Sequence, residues 1–192
     1  MVTSSEKPTL FFTGKSAWSR WLASNHAKSS GVWLRFAKKA SGVKSLTYAE
    51  ALDSALCYGW IDGQAKSDGD DHYLQKFTPR GKRSIWSKRN RDKALALITS
   101  GRMRRSGLAE VERAKKDGRW EAAYDSPRNA IVPDDLQAAL EENPTASEFF
   151  AALDKQNRYA VLFRVHTAKK PETRAKRIRE FVAMLARNEK VH

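Results

Sequence analysis

Residues 57–90, CYGWIDGQAKSDGDDHYLQKFTPRGKRSIWSKRN, decide how the chain is read. An apolar helical stretch ends at Gly59, a residue suited to the left-handed position just past a helix. WIDGQ and HYLQKF then alternate as short strands about the SDGDD turn. Tyr73, Gln75 and Phe77 would share one face, and His72, Leu74 and Lys76 the other. Thr78-Pro79-Arg80-Gly81 breaks this pattern, and SKRNRDKALALITSG resumes helical spacing. Helix, hairpin and helix in succession point to an α+β chain.

Upstream, SAWSRWLASNHAKSSG carries Trp18, Trp21 and Leu22 at helical spacing, with Ser16 as an N-cap. GVWLRFAKKASG alternates with period two, placing Val32, Leu34 and Phe36 on one face of a strand. LTYAEALDSALCYG opens on a capping box, Thr47 with Glu50, and turns Ala51, Leu52, Ala55 and Leu56 inward. Downstream, the helix capped by Ser87 is expected to bury Leu95 and Ile98, and GLAEVERAKKDG to bury Leu108, Val111 and Ala114. RWEAAYDSPRNAIVP is poor in charge and broken by proline, so a boundary falls near Ile131. Everything beyond it reads helical. The last helix has a stripe of Ile178, Phe181, Val182 and Leu185, no wider than a bundle needs. The expected organisation is a domain over 10–130, a small antiparallel sheet with covering helices, followed by an all-helical domain over 132–190. MVTSSEKP reads as a loose lead-in.

The chain has 192 residues, 41% of them hydrophobic, and its six tryptophans supply area for a real core. The single Cys57 excludes an intramolecular disulfide and a zinc site built on several cysteines; in its apolar helix it reads as a small core residue. No apolar run reaches the roughly 18 residues of a membrane span, and the N-terminus lacks a basic region followed by an apolar stretch. A cytoplasmic location is the expectation. The formal charge of +14 is unevenly spread: residues 76–105 hold eleven Lys/Arg against one acid, Asp92. Such a field draws anionic partners.

Arg80, Lys82, Arg83, Ser84, Ser87, Lys88 and Arg89 are the candidate anion-binding residues. Trp86 would offer a stacking surface beside them, as in sites that hold single-stranded nucleic acid, and the start of the basic helix would point free N–H groups at an anion. Trp60 is assigned to the core. A catalytic alternative uses His72 with Asp62, Asp70 or Asp71 as acid–base groups and Arg80 or Arg83 to stabilise an anion. Against it, there is no nucleophile elbow, phosphate-binding glycine loop or paired-histidine zinc motif. Asp68–Asp71 looks like half of a calcium loop, but Pro79 stands where the closing glutamate belongs, so neither metal nor cofactor is expected.

WLRFAKK, LTYAEALDSALCYGWIDGQ, YLQKFTPR, SIWSKRN and GRMRRSGLAEVERAKKDGRWEAAYD together resemble the YdeI/OmpD-associated, or bacteriocin-protection, family. So do VPDDLQAALEENPTASEFFAAL, NRYAVLFRV and KKPETRAKRIREFVAMLARNE, and the resemblance runs from about Trp18 to Glu189. Gly59 to Gly63, Arg80, Ser84 and Trp86 to Lys88 fit the family's central segment. The resemblance implies stress resistance, as protection against cationic antimicrobial peptides or bacteriocins, and implies no established reaction. The expectation is therefore a non-enzymatic cytosolic protection protein whose basic face takes an anionic ligand, an acidic protein or nucleic acid. The rivals are a dedicated nucleic-acid-binding protein and an enzyme using His72.

Overall fold

The computed structural model describes residues 7–192. Contacts divide the chain into two units: Met1–Ile85 with Asn90–Glu121, and Trp86–Arg89 with Ala122–His192.

The first unit is built on β1 (Thr9–Phe11), α1 (Lys15–Asn25), β2 (Val32–Ala37), α2 (Tyr48–Cys57), β3 (Trp60–Asp68) and β4 (His72–Pro79). The strand order is β1-β2-β4-β3. β2, β4 and β3 are antiparallel, as the alternation predicts, while β1 runs parallel to β2 and makes the sheet mixed. Of the expected loose lead-in, residues 1–6 lie outside the described residues. Pro8 is held, its carbonyl accepting from Trp33 N at 2.9 Å.

One sheet face carries Val32, Leu34, Phe36 and Phe77, all buried together with Trp18, Leu22, Leu52 and Leu56 of α1 and α2. Trp18 and Trp60 bury their rings and still satisfy their indole N–H groups, on the carbonyls of Ala51 at 3.1 Å and His26 at 3.0 Å. The register slips between Asp62 and Ala65. The carbonyls freed there accept from the buried Gln75 side chain, Gly63 at 2.7 Å and Gln64 at 3.3 Å, so this polar group inside the sheet is satisfied. The capping box of α2 forms as read, Glu50 N donating to Thr47 Oγ1 and Thr47 N to Glu50 Oε2. α1 starts two residues earlier than expected, with Gly14 rather than Ser16 as its cap.

α3 (Lys88–Thr99) and α4 (Arg105–Lys116) are the expected helices, α4 burying Val111 and Ala114 as read, but the buried stripe of each is shifted by one residue at Leu95 and Leu108. Ala94 and Leu97 are buried in α3 while Leu95 is exposed; Gly107, Val111 and Ala114 are buried in α4 while Leu108 is exposed. The cause in α4 is backbone proximity. A Cβ on Gly107 would lie 2.4 Å from the Cys57 carbonyl oxygen, so α4 meets the end of α2 where only glycine fits. Burying that face rotates Leu108 outward.

The second unit is a bundle of α5 (Asp134–Glu141), α6 (Pro144–Ala152), α7 (Lys155–His166) and α8 (Pro171–Ala186). Its core joins Leu136, Leu140, Phe150, Val161, Val165, Phe181 and Leu185. Asn143 and Asp154 cap α6 and α7, accepting from Ala146 N at 3.1 Å and Asn157 N at 2.8 Å. The stripe of α8 packs into this core as expected. No helix among the described residues is long and apolar enough to cross a membrane.

Candidate anion-binding site

The expected basic site is divided, because the boundary between the units falls between Ile85 and Trp86. In the first unit Arg80 is buried at 6% exposure, and its Nη1 donates to the Ile85 carbonyl at 3.2 Å. Ser84 N donates to Gly81 O and Gly81 N to Ser84 Oγ, both at 3.0 Å, which closes a turn with Lys82 and Arg83 on its exposed tip. Arg119, also buried, donates to Ser84 O at 2.6 Å and is held by Asp117. Arg113 pairs with Glu110 and donates to Gly81 O at 3.3 Å. Burial raises the Glu110 carboxyl above its ordinary range, against the pull of Arg113, Arg80 and Arg119. Arg80, Arg113 and Arg119 thus brace the 80–85 backbone.

In the second unit Trp86 is 2% exposed, which corrects its reading as a surface aromatic. An indole is the largest apolar body a chain can remove from water, and here that outweighs its basic neighbours in sequence. The Trp86 carbonyl accepts from Tyr124 N at 3.0 Å, and Lys88 N donates to Tyr124 O at 2.8 Å, so that amide of α3 is already occupied. Ser87 forms a parallel bridge with Tyr124, Lys88 pairs with Asp125 at 2.7 Å, and Arg89 is exposed.

In the catalytic alternative His72 is kept apart from Asp62 and from Arg80, though Asp71 is its neighbour in the chain. His72 opens β4 opposite Asp68, whereas Asp62 stands opposite Phe77. Five residues of strand separate them, roughly 17 Å at ~3.3 Å per residue. Asp62 accepts from the Tyr48 hydroxyl at 2.6 Å, Asp71 lies exposed in the turn, and the His72 ring meets the edge of Phe11. Arg80 lies beyond the far end of β4.

Cations converge elsewhere in the first unit, in a cleft of about 190 Å³ between the start of α1, the end of α2 and the α3–α4 connection. Gly59, at φ +74°, and Gly107 let the ends of α2 and α4 meet. Arg104 N then donates to the Cys57 carbonyl, and Arg102 N to that of Leu97, both at 3.0 Å. This pins the connection so that Arg102 and Arg104 share the cleft with Lys15. Ser19 Oγ donates to the buried Ser54 Oγ at 3.2 Å, and Cys57 and Tyr58 complete the lining. Among the described residues no carboxylate lines it. Asp53 of α2 is occupied by Lys93 at 2.7 Å, and Glu50 of α2 is within the field of Lys15, but among the described residues Lys15, Arg102 and Arg104 form no ion pair. Burial pushes the Cys57 thiol up, against the pull of Arg102, Lys15 and Arg104, so it stays protonated near neutral pH. It is a weak donor there rather than a nucleophile. Guanidinium, ammonium and hydroxyl donors around a small concavity suit an anion with several oxygens.

Reading the sequence alone counts Arg102 and Arg104 within the basic zone but does not select them, and passes over Lys15, Ser19 and Ser54. The available signal is GRMRRSG, three arginines with no adjoining acid. The second unit holds its own cleft of about 250 Å³, lined by Tyr124, Asp125, Ile131, Tyr159, Leu162 and Phe163, with Lys88, His166 and Arg174 among its polar neighbours.

Fold and cleft together define an α+β protein with a cationic cleft among the helices of its first unit and a helical bundle as its second. Residues 10–110, more than half of the chain, match a family described as a domain of unknown function (DUF8412), and the chain belongs to that family. Residues 129–188 match the bacteriocin-protection, YdeI or OmpD-associated family, which bears out the resemblance read in the tail. No curated protein and no solved structure matches.

Proposed function

We propose that the protein is a non-enzymatic anion-binding protein serving bacteriocin or antimicrobial-peptide protection in the cytosol, with the Lys15–Arg102–Arg104 cleft as its seat. The observation that carries this reading is the gathering of three cations, without ion-pair partners among the described residues, around the Ser19–Ser54 hydroxyl pair. Lys82 and Arg83, exposed on their turn, add to the field that brings an anion to this unit. The protonated thiol and the separation of His72 from Asp62 support binding over catalysis. The match over residues 129–188 supports the protective role.

Calorimetric titration with inorganic phosphate, pyrophosphate and sulfate at low salt tests the reading. Binding is expected in the wild type and to weaken by roughly 100-fold or more in the Arg102→Gln/Arg104→Gln double variant, since two hydrogen bonds to charged groups are lost at ~1.5–3 kcal/mol each. Wild-type affinity in the double variant, or no binding of any of the three anions, removes the seat. Tighter binding of oligonucleotides than of pyrophosphate would instead favour a nucleic-acid partner.

A further inference from the structure

The cleft of the second unit has a chemistry unlike that of the cationic seat. Phe163 stands perpendicular to Tyr124 with ring centroids 5.0 Å apart and lies 5.8 Å from Tyr159, so three aromatic rings shape one hollow over Leu162. Its polar groups are largely engaged with one another. The Tyr159 hydroxyl donates to the Asp125 carbonyl at 2.9 Å, and the Asp125 carboxylate is held by Lys88. Burial, with Tyr124 and Asp125 adding to it, pushes the Tyr159 phenol up to about 12, so that ring stays neutral. What enters must be apolar. Ile131, 79% exposed, lines the same hollow, so its side chain extends the apolar surface of the cleft to solvent.

The surroundings give the occupant its charge. His166, at the end of α7, lines the cleft, and the Val165 and Arg164 carbonyls there accept from Arg174 and Arg177 of α8. Residues 164–179 hold seven Lys/Arg and one acid, Glu172. Asp135 takes Arg174 and Glu180 takes Lys176, while Arg164, Lys169, Lys170 and Arg179 are exposed without ion-pair partners among the described residues. Size narrows the choice further. At about 250 Å³ the hollow is smaller than the ~300–1,000 Å³ of sites that engulf a whole small molecule, and it suits one bulky side chain of a larger partner.

We propose that the Tyr124–Tyr159–Phe163 hollow, with Ile131 beside it and the basic α7–α8 turn next to it, docks an acidic peptide segment through one aromatic or branched aliphatic anchor. The anchor fills the hollow against Leu162 and covers Ile131, while flanking Asp or Glu residues meet Lys169, Lys170 and Arg164. This is the arrangement of a buried anchor inside a polar rim.

Fluorescence anisotropy on the full chain tests the proposal, using a labelled Asp/Glu-rich peptide with a single central Phe. Three comparisons carry it: the same peptide with Phe→Ser, the Ile131→Ser protein, and the Lys169→Glu/Lys170→Glu protein. Removing the anchor is expected to weaken binding about tenfold or more, as loss of one buried large apolar side chain implies. Ile131→Ser weakens binding several-fold, and Lys169→Glu/Lys170→Glu does so at low salt. The Arg102→Gln/Arg104→Gln protein, altered only in the other unit, binds the Phe peptide as the wild type does, so failure of this proposal is separable from failure of the anion seat. Ile131 is exposed, so its replacement leaves the bundle core intact. Equal affinity for the Phe and Ser peptides overturns the proposal, as does no binding at low salt, or displacement of the Phe peptide by a single-stranded oligonucleotide that binds the Ile131→Ser protein unchanged.

Discussion

At the scale of single residues, Gly107 decides where the cationic cleft lies, the proposed anion seat. A methyl group there would lie 2.4 Å from both the Cys57 carbonyl and the Met103 sulfur, and 2.8 Å from the Leu56 carbonyl. Met103 has a flexible side chain, but the two carbonyls belong to the fixed end of α2. Gly107→Ala is therefore expected to cost about 1–3 kcal/mol in urea unfolding, the range for overpacking, and to weaken anion binding by displacing Arg104. Unchanged stability would mean that α4 stands further from α2 than described. Thr47 is a simpler case, since its hydroxyl caps α2 at an exposed position. Thr47→Ala should lower stability by about 1 kcal/mol, with anion affinity preserved.

At the scale of elements, Asp135 ties the first turn of α5 to α8. Its carboxylate takes Arg174 Nε and Nη2, the latter at 2.7 Å, and accepts from Leu136 N at 3.0 Å. The hydrogen bond from Arg174 leads in holding this carboxyl below its ordinary range. A group depressed in the folded state contributes stability above its unfolded value, ~3.9 for Asp, and loses it as pH falls through the lower folded value. Asp135→Asn should thus be less stable than wild type at neutral pH, and the gap should close as the pH drops below about 4. Denaturant melts at stepped pH read this directly; a gap constant down to the acid limit would show that the pairing contributes nothing. The α3 and α4 faces belong to the same scale. Leu95 or Ala94, and Leu108 or Gly107, suit a helical stripe equally well on local spacing, and packing chose the smaller residue of each pair.

At the scale of the whole molecule, charge is partitioned with the fold. The first unit holds 22 Lys/Arg against 12 Asp/Glu, a net +10, and the second 14 against 10, a net +4. Anion binding in the first unit should weaken several-fold as salt rises from low to physiological concentration, where the Debye length shrinks to about 8 Å. Anchor-dependent discrimination in the second unit, the ratio of Phe to Ser peptide affinities, should hold across the same range, because burial of an apolar ring is not screened. Loss of both effects together, or of neither, would contradict the assignment of distinct chemistries to the two clefts.

The capping box, the hairpin about SDGDD, the strand pattern of residues 32–36 and the helices beyond 133 follow from local rules, in which each residue is judged by near neighbours in the chain. The concentration of cations is equally legible, since it is a sum over residues. Tertiary structure alone decided which cations are spent and which remain. Arg80 and Trp86, chosen from the sequence as ligand and stacking surface, went into the interior, whereas Lys15 was brought to Arg102 and Arg104 across some ninety residues of chain. Pattern assigns a side chain to an element; burial and ion pairing depend on what other elements bring beside it, and no local spacing encodes that.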